Sequence, residues 1–183
     1  AAGKVRSYVS IYSLTACSAV VDDMATAWNQ NTPLHLAARK SNAAVVAALI
    51  KAGAEVNRGD SINMTPLYFA CARSDSDAKP VLILLIRNGA DINANDRYGD
   101  TPLEWAIHYS SYRFFPILLR AGAALPARRT NAYIRKVIAA GGFRQYERNH
   151  LNALTATFAP KFAHLPPEMV RRVVEYAFHA GDY

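Results

Sequence analysis

The tripeptide Thr-Pro-Leu occurs at 32–34, 65–67 and 101–103, spacings of 33 and 36 residues. Gly-Ala recurs in step at 53–54, 89–90 and 122–123, spacings of 36 and 33. A period of this size restricts the chain to stacked supersecondary units, because each unit is too short to bury a core alone and needs its neighbours. The additional residues fall in the polar stretch Arg73-Ser74-Asp75-Ser76-Asp77. An insertion there lengthens a surface turn and leaves the repeat intact.

Each unit has a readable local structure. Thr before Pro predicts a helix start, since the hydroxyl can cap free backbone N–H groups and Pro fits the first helical position. A short apolar helix follows, as in Pro33-Leu34-His35-Leu36-Ala37-Ala38. After the polar turn Lys40-Ser41-Asn42, a second helix is predicted over Ala43 to Ala52, with Val45, Val46, Leu49 and Ile50 as its buried stripe. Gly53 stops it by supplying a left-handed residue. The matching second helices are Val81 to Asn88 and Tyr112 to Ala121, each with its Gly stop. Extended fingers, Glu55-Val56-Asn57 and Asp91-Ile92-Asn93, then lead to the next Thr-Pro.

These residues resemble the ankyrin repeat. The segments carrying the likeness are TPLHLAA at 32–38, GAEVN at 53–57 and GADINANDRYGDTPL at 89–103, and it spans roughly residues 24–125. It implies an all-α solenoid of stacked helical hairpins joined by β-type fingers. The chain departs from the family in three ways. The His of Thr-Pro-Leu-His survives as His35, with Tyr68 and Glu104 in the later units; the turn Gly survives as Gly99, with Gln30 and Asn63 in its place elsewhere; and Trp105-Ala106-Ile107 replaces Leu-Ala-Ala.

A stack needs atypical ends that cover its core. Val5, Tyr8, Val9 and Tyr12, at i, i+3, i+4 and i+7, predict a capping helix within residues 1–23. Asn131 to Gly141 reads as the second helix of a degenerate fourth unit, so the repeats are expected to occupy 24–142. From Phe143 the period is lost, and residues 143–183 form a C-terminal helical extension with helices expected over Glu147–Phe158 and from Pro167 onward. The second of these presents Met169, Val170, Val173, Val174 and Ala177 on one face. Its opening, Leu165-Pro166-Pro167-Glu168-Met169-Val170, resembles the first helix of an F-box and the F-box-like tail of some ankyrin proteins. That likeness implies docking to the adaptor of a cullin-type ubiquitin ligase through Leu165, Pro166, Glu168, Val170 and Val173. The alternative is a cap that packs its apolar face on the last repeat.

Charge narrows the choice of partner. The net charge of +7 is carried mostly by the second half: residues 93–183 hold twelve basic and seven acidic groups, against nine and seven before them. From Arg113 to Lys161 only Glu147 opposes Arg113, Arg120, Arg128, Arg129, Arg135, Lys136, Arg144, Arg148 and Lys161. Such a run suits an acidic protein surface or simple solvation. No aromatic platform or groove-reading helix accompanies it, so nucleic acid is the weakest expectation, and contact with an anionic membrane surface stays open. The uncharged run Tyr8 to Val21 is too short to span a bilayer. The chain begins Ala1-Ala2-Gly3, so a removed targeting segment stays open too, and the expected setting is intracellular, in cytoplasm or an organelle interior.

No catalytic constellation can be nominated. The histidines form no HExxH, no phosphate-binding Gly loop occurs, and Cys17 and Cys71 make no CxxC. The expectation is a non-enzymatic protein-binding module, scaffold or accessory subunit of a larger assembly, without cofactor or metal. In ankyrin stacks the finger tips and first helices line a concave, partner-binding face. The resemblance places there Trp28, Asn29, Asn31, Arg39 and Lys40 from unit one, and Ser61, Ile62, Met64 and Arg73 from unit two. Unit three supplies Arg97, Tyr98, Asp100, His108 and Tyr109. Trp, Tyr, Arg and Met are the residue types that dominate interface energetics.

Overall fold

The computed structural model describes residues 29–73, 78–127, 130–162 and 164–180. The predicted capping helix of residues 1–23 and Trp28 lie outside them. Helices α1 (Pro33–Arg39) and α2 (Ala43–Lys51) form the first hairpin, and α3 (Pro66–Cys71) and α4 (Ala78–Arg87) the second. The third pairs α5 (Pro102–His108) with a 3-10 turn (Tyr112–Phe114) that runs into α6 (Phe115–Arg120). Then follow α7 (Ala132–Ala139), α8 (Phe143–Phe158), a second 3-10 turn (Ala159–Phe162) and α9 (Pro167–Ala180). The fingers are turns, and no strand occurs among the described residues.

The first helices stack in register, α1 on α3 and α3 on α5, with α2 beside α4. The Leu of every Thr-Pro-Leu (Leu34, Leu67 and Leu103) is 0% exposed and joins one continuous apolar spine with Val46, Leu82, Leu85 and Leu118. The fold is thus the all-α stack of helical hairpins expected, with turns in place of the expected β-type fingers. Gly53, Gly89, Gly122 and Gly141 end the second-type helices at φ 90, 83, 100 and 83°. At Gly89, Gly122 and Gly141 an added Cβ would meet nothing within 4 Å, so backbone conformation is what demands glycine there. Gln30 and Asn63 adopt the left-handed turn of Gly99 despite their side chains, at φ 53 and 63° against 78°.

Four local expectations are corrected. Of the stripe expected to be buried on α2, Val46 is buried, Leu49 and Ile50 are half-buried, and Val45 is 43% exposed. The Thr hydroxyl caps its helix at Thr101, where Oγ1 accepts from the Glu104 N–H at 3.4 Å, but the buried Thr65 Oγ1 has no partner among the described residues. The second helix of unit three begins as a 3-10 turn, because Pro116 has no N–H to donate back into the preceding turn. Helix α8 starts at Phe143 rather than Glu147, because Phe143 and Tyr146 pack on the core and lengthen its apolar face.

Candidate functional site

The face lined by the finger tips and first helices is assembled by hydrogen bonds that run from unit to unit. His35 is 0% exposed. Its Nδ1 accepts the Thr32 N–H at 3.0 Å, which leaves Nε2 to donate to the Met64 carbonyl of the next finger at 2.9 Å. One unit on, the Tyr68 hydroxyl lies 2.5 Å from the Ala94 carbonyl and 2.7 Å from that of Asp100, and shares its proton between them. Glu104, the third residue at this place, instead accepts the Thr101 N–H at 2.8 Å and closes its own helix start. The fingers are tied as well: Asn57 bridges to the Gly89 carbonyl and the Asp91 N–H, and Asn93 to the Gly122 carbonyl and the Ala124 N–H. At the tips, Ser61 N–H donates to the Asn29 carbonyl at 3.0 Å and Arg97 N–H to that of Ile62 at 2.9 Å.

Each tip is shaped by an aspartate. Asp60 Oδ1 accepts the N–H groups of Ile62 and Met64, and Asp96 Oδ1 those of Tyr98 and Asp100. The other oxygen of Asp96 accepts the Trp105 indole N–H at 2.9 Å and pins the ring against the finger. Trp105 then stacks on Tyr109, centroids 5.5 Å apart and planes 27° from parallel. His108 stands edge-on to Tyr109 at 5.0 Å.

This aromatic group separates two recesses. The larger, about 410 Å³, runs from Asn29, Asn31 and Arg39 past Ile62, Met64, Phe69 and Arg73 to Trp105 and Tyr109. The smaller, about 290 Å³, lies between Tyr98, Asp100, Glu104, Trp105 and His108. Of the residues placed here from sequence, Asn29, Arg39, Lys40, Ser61, Arg73, Arg97, Tyr98, His108 and Tyr109 are exposed, while Ile62 and Asp100 are half-buried. Asn31 and Met64 are buried, at 4 and 5% exposure, and contribute wall and floor. Sequence reasoning missed Phe69 and Trp105. The available signal was their position, directly after the fourth residue of each Thr-Pro-Leu-x, where unit one has Leu36.

The neighbouring core is chemically quiet. Burial pushes the Cys71 thiol above its ordinary pKa, and burial with the nearby Asp96 charge does the same to the Tyr68 hydroxyl. Both hold their protons more tightly folded than unfolded, so stability is intact below the unfolded-state values and falls as pH rises through about 8.5 and about 10. In a Cys17→Ser background, Cys71 should react with an aromatic disulfide reagent only at the rate of unfolding, and the urea midpoint should drop between about pH 8 and about pH 10.5. Stoichiometric labelling of the native protein within seconds would contradict this.

The C-terminal segment presents a separate surface. Helix α9 packs on α8 and the second 3-10 turn through Val170 and Val174, 3 and 5% exposed. Its predicted single apolar face is therefore split. Met169, Val173 and Tyr176, at i, i+4 and i+7, are 49, 45 and 77% exposed. Leu165 is half-buried, and Pro166 and Glu168 are exposed. The basic run is also dispersed: Arg113, Arg120, Arg135, Lys136, Arg144, Arg148 and Lys161 lie on five successive elements, and Arg120 is paired with Glu147, Nε to Oε1 2.8 Å. Among the described residues no three His, Cys, Asp or Glu side chains gather as for a metal ion, and no helix is long and apolar enough to cross a membrane.

Comparison with known families agrees with this architecture. Residues 29–61 match the family model described as ankyrin repeat, and residues 49–106 match ankyrin repeats (many copies). Ankyrin repeats are a protein–protein interaction module, and the family is typically non-catalytic. A comparison with curated proteins returned no match.

Proposed function

We propose that the chain is a non-catalytic binding subunit or scaffold that grips a protein partner in the concave groove. In this reading residues 24–142 are the repeat body, 1–23 a cap and 143–183 a helical extension. The observation that carries it is the aromatic wall: Trp105 held by Asp96 and stacked on Tyr109, which is 45% exposed. Rigid aromatic surface beside exposed Arg and Tyr is the chemistry of interface hot spots, where truncating one residue costs about 2 kcal/mol or more. Affinity capture from the native source tests it. Partner recovery should fall about tenfold or more for Tyr109→Ala and stay unchanged for Arg87→Glu on the outer helix α4. Equal recovery by both variants would place the partner elsewhere.

A second reading is favoured by the exposed stripe of α9. With Val170 and Val174 turned inward, Met169, Val173 and Tyr176 offer a helix face for a ligase adaptor of the cullin type. Val173→Asp should abolish adaptor pull-down with the thermal midpoint unchanged, since Val173 is solvent-facing. Retained pull-down would leave α9 as a cap.

A further inference from the structure

The larger recess is chemically polarised, and that polarity defines its ligand. At one end Arg39, in the last turn of α1, is followed by exposed Lys40. Arg73, one unit on, donates Nη1–H to the Arg39 carbonyl at 3.1 Å. That bond sets the Arg73 guanidinium beside the end of α1, where the helix dipole already favours cations over the last carbonyls. Arg39 and Lys40 have no carboxylate partner among the described residues. Among the described residues the one carboxylate lining this recess is Asp60, whose Oδ1 accepts the N–H groups of Ile62 and Met64. At the other end the floor is Phe69, Trp105 and Tyr109, apolar and aromatic.

We infer, building on the concave-face reading above, that the groove takes an extended acidic peptide: a carboxylate held by Arg39 and Arg73, with an apolar or aromatic side chain two to three residues away lying on Phe69, Trp105 and Tyr109. Geometry sets the spacing. Adjacent packed helices lie about 8–10 Å apart. The step from α3, which precedes Arg73, to α5, which carries Trp105, is therefore covered by about three extended residues at about 3.3 Å each. A strand sends side chains i and i+2 to the same side about 6.6 Å apart, so acidic–x–apolar is the shortest motif that turns both groups toward the groove, with side-chain reach covering the rest of the step. Two exposed guanidinium groups in adjacent units suit a carboxylate better than two ammonium groups, because each presents a planar fork. The groove residues are held by the inter-unit bonds already described, so little ordering is needed on binding.

The test is selection of a random dodecapeptide phage library on the full-length protein, followed by fluorescence anisotropy with synthetic consensus peptides. In a Trp28→Phe background, Trp105 emission reports occupancy of the groove. The expected result is a consensus of Asp or Glu followed within two or three positions by an apolar or aromatic residue. Trp105 emission should shift on binding, and Kd should weaken about tenfold or more in Arg39→Glu and Arg73→Glu. Arg39→Lys should recover part of the loss, since charge remains while the fork is lost. Circular dichroism confirms that each variant is folded. Amidating the peptide C-terminus separates the two sources of a carboxylate: unchanged affinity assigns it to a side chain, and lost affinity to the chain end. A consensus without acidic residues, or affinity indifferent to Arg39→Glu while Trp105 still responds, overturns the acidic clamp and leaves concave-face binding standing. Peptides that bind without moving Trp105 overturn both. A library that enriches nothing overturns the inference alone, because a folded partner could still use the face.

Discussion

Replacing His35 by alanine should lower stability by about 3–5 kcal/mol and the thermal midpoint by roughly 10 °C. The imidazole is completely buried and serves two units at once. Its Nδ1 accepts the Thr32 N–H, and its Nε2–H reaches the Met64 carbonyl 29 residues on. Removing it strands a buried donor and a buried acceptor, each costing about 1–3 kcal/mol, and opens a cavity that the neighbouring Phe69 ring, edge-on at 5.4 Å, cannot fill without leaving the groove floor. The loss falls on the contact between units, so the first hairpin should unfold ahead of the rest, as nearest-neighbour stacks do. Tyr68→Phe is the graded comparison. It keeps the ring and removes only the hydroxyl shared by the Ala94 and Asp100 carbonyls, for about 1–2 kcal/mol. Urea titration followed by circular dichroism and Trp emission measures both. A loss below about 1 kcal/mol for His35→Ala would mean that the bridge to Met64 does not couple the units.

These bridges also mark how far the sequence could be read. Recurrence of Thr-Pro-Leu and Gly-Ala predicted the hairpins, because capping, proline geometry and left-handed termination act within a few residues of their own positions. The roles of Tyr68 and Glu104 were not legible. They stand at equivalent positions, yet one reaches into the next finger and the other folds back on Thr101, a choice made by reach and by charge in three dimensions. The groove was legible in outline and incomplete in detail. Exposed Arg39, Arg73 and Tyr109 were anticipated, but Trp105 was read as a departure from a core pattern, since nothing local to it announces a hydrogen bond to Asp96 nine residues earlier. In the C-terminal segment, five apolar positions on α9 read as one face. Helical periodicity sorts residues by angle, but which half of a wide apolar arc meets a neighbour depends on where α8 lies.

The second large effect is expected at the junction between the repeats and that segment. Phe115, 0% exposed at the start of α6, is central to a chain of rings. Tyr112 meets Phe115 at 5.5 Å, Phe115 meets Tyr133 of α7 at 5.8 Å, Tyr133 meets Tyr146 of α8 at 5.4 Å, and Tyr146 stacks on His150 at 6.1 Å. Phe115→Ala should cost about 3–5 kcal/mol, the range for deleting a buried phenyl ring from a packed core. Its consequence should be uneven along the chain. Helix α8 holds α6 through the Arg120–Glu147 pair, which is exposed enough to contribute only about 0–1 kcal/mol. With the ring gone, the buried contacts left to tie α7–α9 to the third hairpin are chiefly those of Ile134 and Val137 in the shared core. The single unfolding transition should then split, with α7–α9 melting first and the hairpins of residues 33–108 keeping their Trp105 signal to higher urea. Tyr112→Ala, at the exposed end of the same row and 57% solvent-accessible, should change stability by about 1 kcal/mol or less and leave one transition. Hydrogen exchange resolved by segment distinguishes the outcomes. Uniform loss of protection from α1 through α9 in Phe115→Ala would show that the C-terminal helices and the repeats form one cooperative unit, held by more than this row of rings.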